Sequence, residues 1–169
     1  MAGQSLYRYS LTMSGTIGMV GSVFKPAGLH TLFGIDMASI VEERQPLSGF
    51  VSGGQDSVLF SAIREAVDPE LRAGLLDAFF VSEVERRKPV PDVLDRCASL
   101  IASSHGMVSL NNLTEESGLG RRTFERGFLR KVGMSPKKYV RMCRISYVCN
   151  RISGKRKVDR KSTRLNSSH

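Results

Sequence analysis

The chain has 169 residues, and 25 Lys and Arg against 16 Asp and Glu give it a formal net charge of +9. That length fits one ordinary domain or two small ones, and an apolar fraction of 41% excludes a disordered polar chain. No run approaches the roughly 18 apolar residues that a membrane span needs, so we expect no membrane partner. The three cysteines form no Cys-x-x-Cys pair and the N-terminus has no signal-peptide pattern, which together predict a reduced, cytoplasmic compartment.

Charge divides the chain into two unequal parts. Residues 1–90 hold 8 basic and 10 acidic side chains, whereas residues 91–158 hold 14 basic and 5 acidic ones. A near-neutral first part joined to a strongly basic second part predicts two modules, of which the second should meet a polyanion. The alternative is a solvated surface that is basic for solubility alone.

The first ninety residues predict short strands followed by helices. Residues 6–11 and 17–24 carry β-branched and aromatic residues around a Ser-Gly breaker, which is typical of a short β-hairpin. Apolar positions at 29, 32 and 33, repeated at 37, 40 and 41, have helical spacing. After a glycine-rich loop at 48–54, Asp56 could cap a helix to about residue 66. Asp68-Pro69-Glu70 predicts another helix start, and this helix should run to about residue 87 and end in a basic linker.

No catalytic or metal-binding pattern is readable in this part of the sequence. His30 stands alone, without serine, cysteine or acidic residues at the spacing of a nucleophile–base pair or a metal site, so a packed or surface histidine is its simpler interpretation. Gly53-Gly54 lacks the lysine of a phosphate-binding loop. We therefore expect that the protein is not an enzyme and that it has no catalytic residue, no metal site and no cofactor. An enzyme whose basic half binds substrate phosphates is the alternative.

The second part predicts a cluster of short helices. Asp92 can cap a helix whose apolar positions 93, 94, 97, 100 and 101 form one stripe, so Cys97 is expected in the core. Ser109 starts a short helix that Gly118 breaks, and a third helix runs from residue 121 to about 132. Two short helices joined by a tight turn, in a basic module, are typical of a helix-turn-helix.

The third helix carries the functional prediction. Phe124, Phe128 and Val132 lie four apart on one face and should pack inward, whereas arginines lie four apart on the opposite face. Arginine can donate two hydrogen bonds to guanine and can also reach phosphates, and glutamate can accept a hydrogen bond from the amino group of cytosine. This helix therefore suits the DNA major groove. Ser135-Pro136 opens a long helix to about residue 152 with a basic start suited to phosphates, and residues 155–157 should be a loop. The candidate DNA-binding residues are Arg121, Arg122, Thr123, Glu125, Arg126, Arg130, Lys137, Lys138 and Arg141. A solvated arginine face is the alternative.

The stretch at 113–145, LTEESGLGRRTFERGFLRKVGMSPKKYVRMCRI, resembles the first half of an AraC/XylS-type DNA-binding domain. The positions that match the pattern of that family are Leu113, Gly118, Arg122, Phe124, Arg126, Phe128, Gly133, Ser135, Pro136, Tyr139 and Arg144. The departures are Thr114, where alanine is usual, and Gly120, where serine usually caps the recognition helix. A glycine cap costs only a few tenths of a kcal/mol, so neither departure threatens the fold.

The resemblance covers roughly residues 92–153 and implies a transcriptional regulator that binds double-stranded DNA sequence-specifically. Such domains carry two helix-turn-helix units joined by a long helix, and residues 136–152 match that connector. Residues 17–88, with the stretch FKPAG, are also similar to the end of a sensor domain found in some members. This similarity implies a small-molecule effector, although nothing in residues 1–90 identifies the ligand. The expected architecture is mainly α, and α+β overall, with a truncated sensor domain at 1–88 and one helix-turn-helix with its connector helix at 89–158.

Residues 159–169, DRKSTRLNSSH, hold a single apolar residue and are expected to be disordered. They are identical to one translated frame of a widely used sequencing-library adapter, so we expect them to be foreign to the natural protein and the chain to be an internal fragment. Such a fragment keeps one recognition helix and should bind DNA with weak selectivity. A basic fragment that binds DNA non-specifically, or an acidic protein partner, is the alternative to the regulator.

Overall fold

The computed structural model describes residues 12, 14–15, 18–41, 44–51 and 54–165, with side chains through residue 153. This part of the chain is mainly helical and contains no strand. The α-helices are α1 (Gly28–Phe33), α2 (Gln55–Glu65), α3 (Pro69–Arg87), α4 (Val93–Ser103), α5 (Leu110–Glu116), α6 (Arg121–Val132) and α7 (Pro136–Leu165). Two 3-10 helices span Met37–Ile40 and Leu47–Gly49. None of the described helices is both long enough and apolar enough to cross a membrane.

The predicted β-hairpin is not seen. Residues 6–11 lie outside the described residues, and residues 18–24 follow an irregular path where the second strand was expected. The apolar side chains here are not arranged on a sheet. Phe24 packs edge-to-face on Phe80 of α3, with ring centroids 4.9 Å apart, while Val23 is fully exposed. A single aromatic anchor on a helix therefore takes the place of the alternating pattern that a strand would need.

Several helices begin where the capping residues in the sequence predicted. Asp68 accepts a hydrogen bond from the Glu70 amide at 3.1 Å and Pro69 is the first residue of α3, as predicted. Asp92 caps α4 by accepting from the amides of Leu94 and Asp95. The prediction for Asp56 was wrong, because α2 begins one residue before it and Asp56 lies in the first turn.

The first helical stretch is divided in two. Gly34 adopts a left-handed conformation and ends α1, and a separate 3-10 helix follows at Met37–Ile40. Asp36 caps this second piece by accepting from the Ala38 amide at 3.0 Å. Because the apolar residues on both pieces keep helical spacing, the periodicity could not reveal the break between them.

Helices α4 to α7 enclose the main core. Its members come from all four helices, from the turn between α6 and α7, and from the residue that precedes α1. They are Ala27, Leu94, Cys97, Ala98, Ile101, Leu113, Phe124, Phe128, Val132, Met134, Tyr139 and Val140. Cys97 is buried as predicted, but Leu100 is 45% exposed and Ala98 occupies the core instead. Helices α4 and α6 cross closely, since a Cβ on Gly127 would lie 2.6 Å from Leu94 Cδ1.

Helix α7 is longer than predicted. It continues through residues 155–157, which were expected to form a loop, and into residues 159–165, which were expected to be disordered. Gly154 is the only glycine near the predicted end, and no proline follows it. Lysine and arginine have high helix propensity, so a single glycine does not terminate the helix.

Candidate nucleic-acid interface

Helix α6 divides sharply into a buried and an exposed face. Phe124, Phe128 and Val132 are 1%, 0% and 2% exposed, which confirms the predicted inner face. Phe128 lies between Phe124 and Tyr139 of α7, with ring centroids 5.9 and 5.7 Å away. These aromatic contacts fix the rotation of α6 about its own axis, and that rotation decides which side chains face outward.

The polar residues predicted on α6 are all exposed. The six exposed side chains are Arg121, Arg122, Thr123, Glu125, Arg126 and Arg130. Arg121 Nε lies 3.1 Å from Glu125 Oε1, and these side chains remain 82% and 53% exposed. An ion pair this exposed contributes little to stability, so both groups can turn towards a ligand at small cost.

Helix α7 begins beside α6 with the remaining predicted residues. The Ser135 hydroxyl accepts from the Lys138 amide at 3.4 Å, and Pro136 is buried at the first helical position. Lys137, Lys138 and Arg141 are exposed on the first two turns. Three ammonium or guanidinium groups along one short stretch suit a row of phosphates.

Two grooves bring some of the predicted residues together. One, of about 500 Å³, lies between the starts of α5, α6 and α7, and Arg121, Glu125 and Lys137 are among its lining residues. The other, of about 600 Å³, runs along the start of α7 and includes Lys137, Lys138 and Arg141. The residues that line neither groove are Arg122, Thr123, Arg126 and Arg130.

Sequence reasoning missed the role of Lys131. This lysine is buried, and its Nζ lies 2.5 Å from Asp95 Oδ2 and 2.9 Å from Asp92 Oδ2. Burial opposes ionisation of Asp95, but hydrogen bonds from Lys131, Thr31 and the Asp92 backbone outweigh it and lower its pKa to about 2. The spacing of Lys131, seven residues after Phe124 and three after Phe128, was the available signal that it lies on the inner face.

Arg144 matches the family pattern and also belongs to the basic face predicted for the long helix; in the structure it joins α7 to the turn after α4. Its Nε donates to the Gly106 carbonyl at 2.8 Å. His105, next to this glycine, stacks on Tyr147 of α7 with ring centroids 4.3 Å apart. Arg144 therefore fixes the angle of α7 through a backbone contact.

His30, Cys97 and Cys143 are at least partly buried, whereas Cys149 is exposed. His30 Nδ1 lies 2.7 Å from the Ile35 carbonyl oxygen. Burial raises the pKa of Cys97 and that of Cys143, which favours the protonated thiols. Among the residues with described side chains, no group of three or more His, Cys, Asp or Glu is placed to hold a metal ion.

In comparisons with known proteins, no family profile, curated protein or solved structure matches this chain. What the chain binds must therefore be inferred from its own side chains and their geometry.

Proposed function

We propose that this chain is part of a transcriptional regulator of the AraC/XylS type that binds double-stranded DNA sequence-specifically, and that α6 enters the major groove with a weak sequence preference of its own. The observation that carries the proposal is the division of α6 into a fully buried aromatic face and an exposed face with four arginines. A helix held rigidly from behind can present several guanidinium groups to base edges at once.

The neighbouring elements suit this mode of binding. Helices α5 and α6, joined by the turn around Gly118, form the helix-turn-helix, and α6 is the recognition helix. Its 12 residues give a length of about 18 Å, which fits along a major groove about 12 Å wide. Arg122 and Arg126 are assigned to base edges, and Lys137 is assigned to the phosphate backbone.

The proposal predicts different behaviour for base-reading and phosphate-binding residues. A preferred duplex is first selected from a random pool at physiological salt. Arg122→Ala and Arg126→Ala should each cost about 1–3 kcal/mol on that duplex and relax preference at particular base pairs. Lys137→Ala should weaken binding to all duplexes by a similar factor. Arg64→Ala, which removes an exposed charge from α2, is the matched control and should change neither quantity.

Other outcomes would favour the alternative functions. Equal, sequence-blind losses from all three interface variants would show a phosphate-binding surface rather than a recognition helix. A chain that prefers no duplex, and from which an acidic peptide displaces DNA at equal charge, would instead have an acidic protein partner. Both results would contradict the regulator proposal, because sequence preference is what separates it from binding by charge alone.

A further inference from the structure

The last turn of α6 is held by an ion pair as well as by its aromatic face. The side chain of Lys131 is only 10% exposed and lies between the carboxylates of Asp92 and Asp95. Both carboxylates belong to the start of α4, where Asp92 and Asp95 also cap the helix reciprocally. The ion pair therefore ties the end of α6 to the capped first turn of α4.

Asp95 is shared with the first part of the chain. Its Oδ2 binds Lys131, while its Oδ1 accepts a hydrogen bond from the hydroxyl of Thr31 on α1. The two donors stand 36 and 64 residues away from Asp95 in the sequence. One carboxylate thus bridges α1 and α6, and a change at either donor alters its contact with the other.

The backbone after α1 also closes on the end of α6. A Cβ on Gly133 would lie 3.0 Å from the Met37 carbonyl oxygen and 3.4 Å from Val41 Cγ2. Ala27, at the start of α1, is 6% exposed and belongs to the same core cluster as Phe124 and Phe128. Residues 27–41 therefore pack on the end of α6 through apolar and backbone groups, and Thr31 is linked to Lys131 of α6 through Asp95.

We propose that Thr31 is a positioning residue for DNA recognition, because it orients Asp95, which holds Lys131 and so the last turn of α6. This inference rests on the proposed function, since it concerns the same recognition helix. Recognition side chains must be held within about 0.5 Å of their productive geometry, so a looser last turn weakens base reading more than phosphate binding. By linkage, DNA that fixes α6 also favours the docked position of residues 27–41.

Thr31→Val tests the inference in the full chain, because valine keeps the shape of threonine and removes the donor. We expect amide hydrogen exchange in the last turn of α6 to accelerate roughly three- to tenfold, while exchange in α3 stays unchanged. Affinity for the selected duplex should fall by a similar factor, with affinity for random duplexes unaltered. Thr31→Ser keeps the hydroxyl donor, so it should leave both the exchange rate in α6 and the affinity for the selected duplex at the values of the unaltered chain. Ser39→Ala, which removes an exposed hydroxyl from the same segment, is the matched control.

The two readouts separate failure of this inference from failure of the proposed function. Unchanged exchange in α6, with selective DNA binding intact, would overturn the role of Thr31 and leave the regulator proposal standing. Equal acceleration in α3 and α6 would also overturn it, since the hydroxyl would then be a general stabilising contact. If the unaltered chain selects no duplex, the proposed function fails and the claim about DNA reading fails with it, whatever the exchange shows.

Discussion

At the scale of single residues, the most informative group is the carboxylate of Asp95. It is 9% exposed, yet it stays ionised because Lys131 and Thr31 donate to it. A buried carboxylate with this many donors binds its proton less readily in the folded chain than in the unfolded one, which makes folding dependent on pH.

The pKa of Asp95 falls from its ordinary value of 3.8 to about 2 on folding. Its contribution to stability is therefore present above about pH 4 and is lost as the pH falls towards 2. We expect Asp95→Asn to lower the free energy of unfolding by about 2 kcal/mol at pH 6, and the deficit to shrink towards zero near pH 2. Urea denaturation of both chains across this range measures the difference. Asp77→Asn, an exposed carboxylate on α3, is the control, and a deficit that stays constant with pH would contradict the prediction.

At the scale of elements, the turn between α4 and α5 determines how α7 lies on the core. Gly106 has φ of +76°, and a Cβ there would lie 2.5 Å from the Val140 carbonyl oxygen of α7. Gly118, between α5 and α6, has a similar φ of +68°, but no atom lies within 4 Å of its Cβ position. The two turns therefore share a left-handed backbone conformation that suits glycine, and they differ in packing.

This difference predicts unequal costs for the same substitution. Gly118→Ala should destabilise the chain by about 1–2 kcal/mol, the cost of placing alanine in a left-handed conformation. Gly106→Ala should cost about 1–3 kcal/mol more, because the Val140 carbonyl must move with α7. Thermal or urea unfolding of both variants measures the gap. Equal losses would mean that α7 does not press on this turn.

At the scale of the whole molecule, the charge asymmetry predicted from the sequence falls on one group of helices. Arginines on α6 and the basic start of α7 lie in the part of the chain that carries net charge +9, whereas residues 1–90 carry −2. A polyanion should therefore approach the α5–α7 side, and its binding should release counterions.

The salt dependence of binding to a random duplex measures this effect. If Lys137, Lys138 and Arg141 each neutralise a phosphate, a plot of the logarithm of the association constant against the logarithm of the salt concentration should have a slope of about −3 or steeper. Lys137→Ala should reduce that slope by about 1, while Arg64→Ala should leave it unchanged. A slope near zero would exclude phosphate contacts by these residues.

Most helix boundaries and the two faces of α6 could be predicted from local sequence patterns. Caps such as Asp68 and Ser109, the proline at 69, and the four-residue spacing of Phe124 and Phe128 act within one or two helical turns. Such interactions depend only on near neighbours in the chain. They can be predicted without knowledge of what the helix packs against.

The contacts between residues far apart in the chain could not be predicted from local patterns and depend on how the helices pack. Arg87 pairs with Glu83 one turn earlier on α3, as local spacing allows, but it also donates to the Phe50 carbonyl, 37 residues away in the sequence. Lys131 and Thr31 likewise share one carboxylate from a third helix. From the sequence, a charged side chain on an amphipathic helix is expected to be solvent-exposed. It can be buried only when a partner from elsewhere in the chain neutralises it. That partner is set by the packing of helices, which no local pattern encodes.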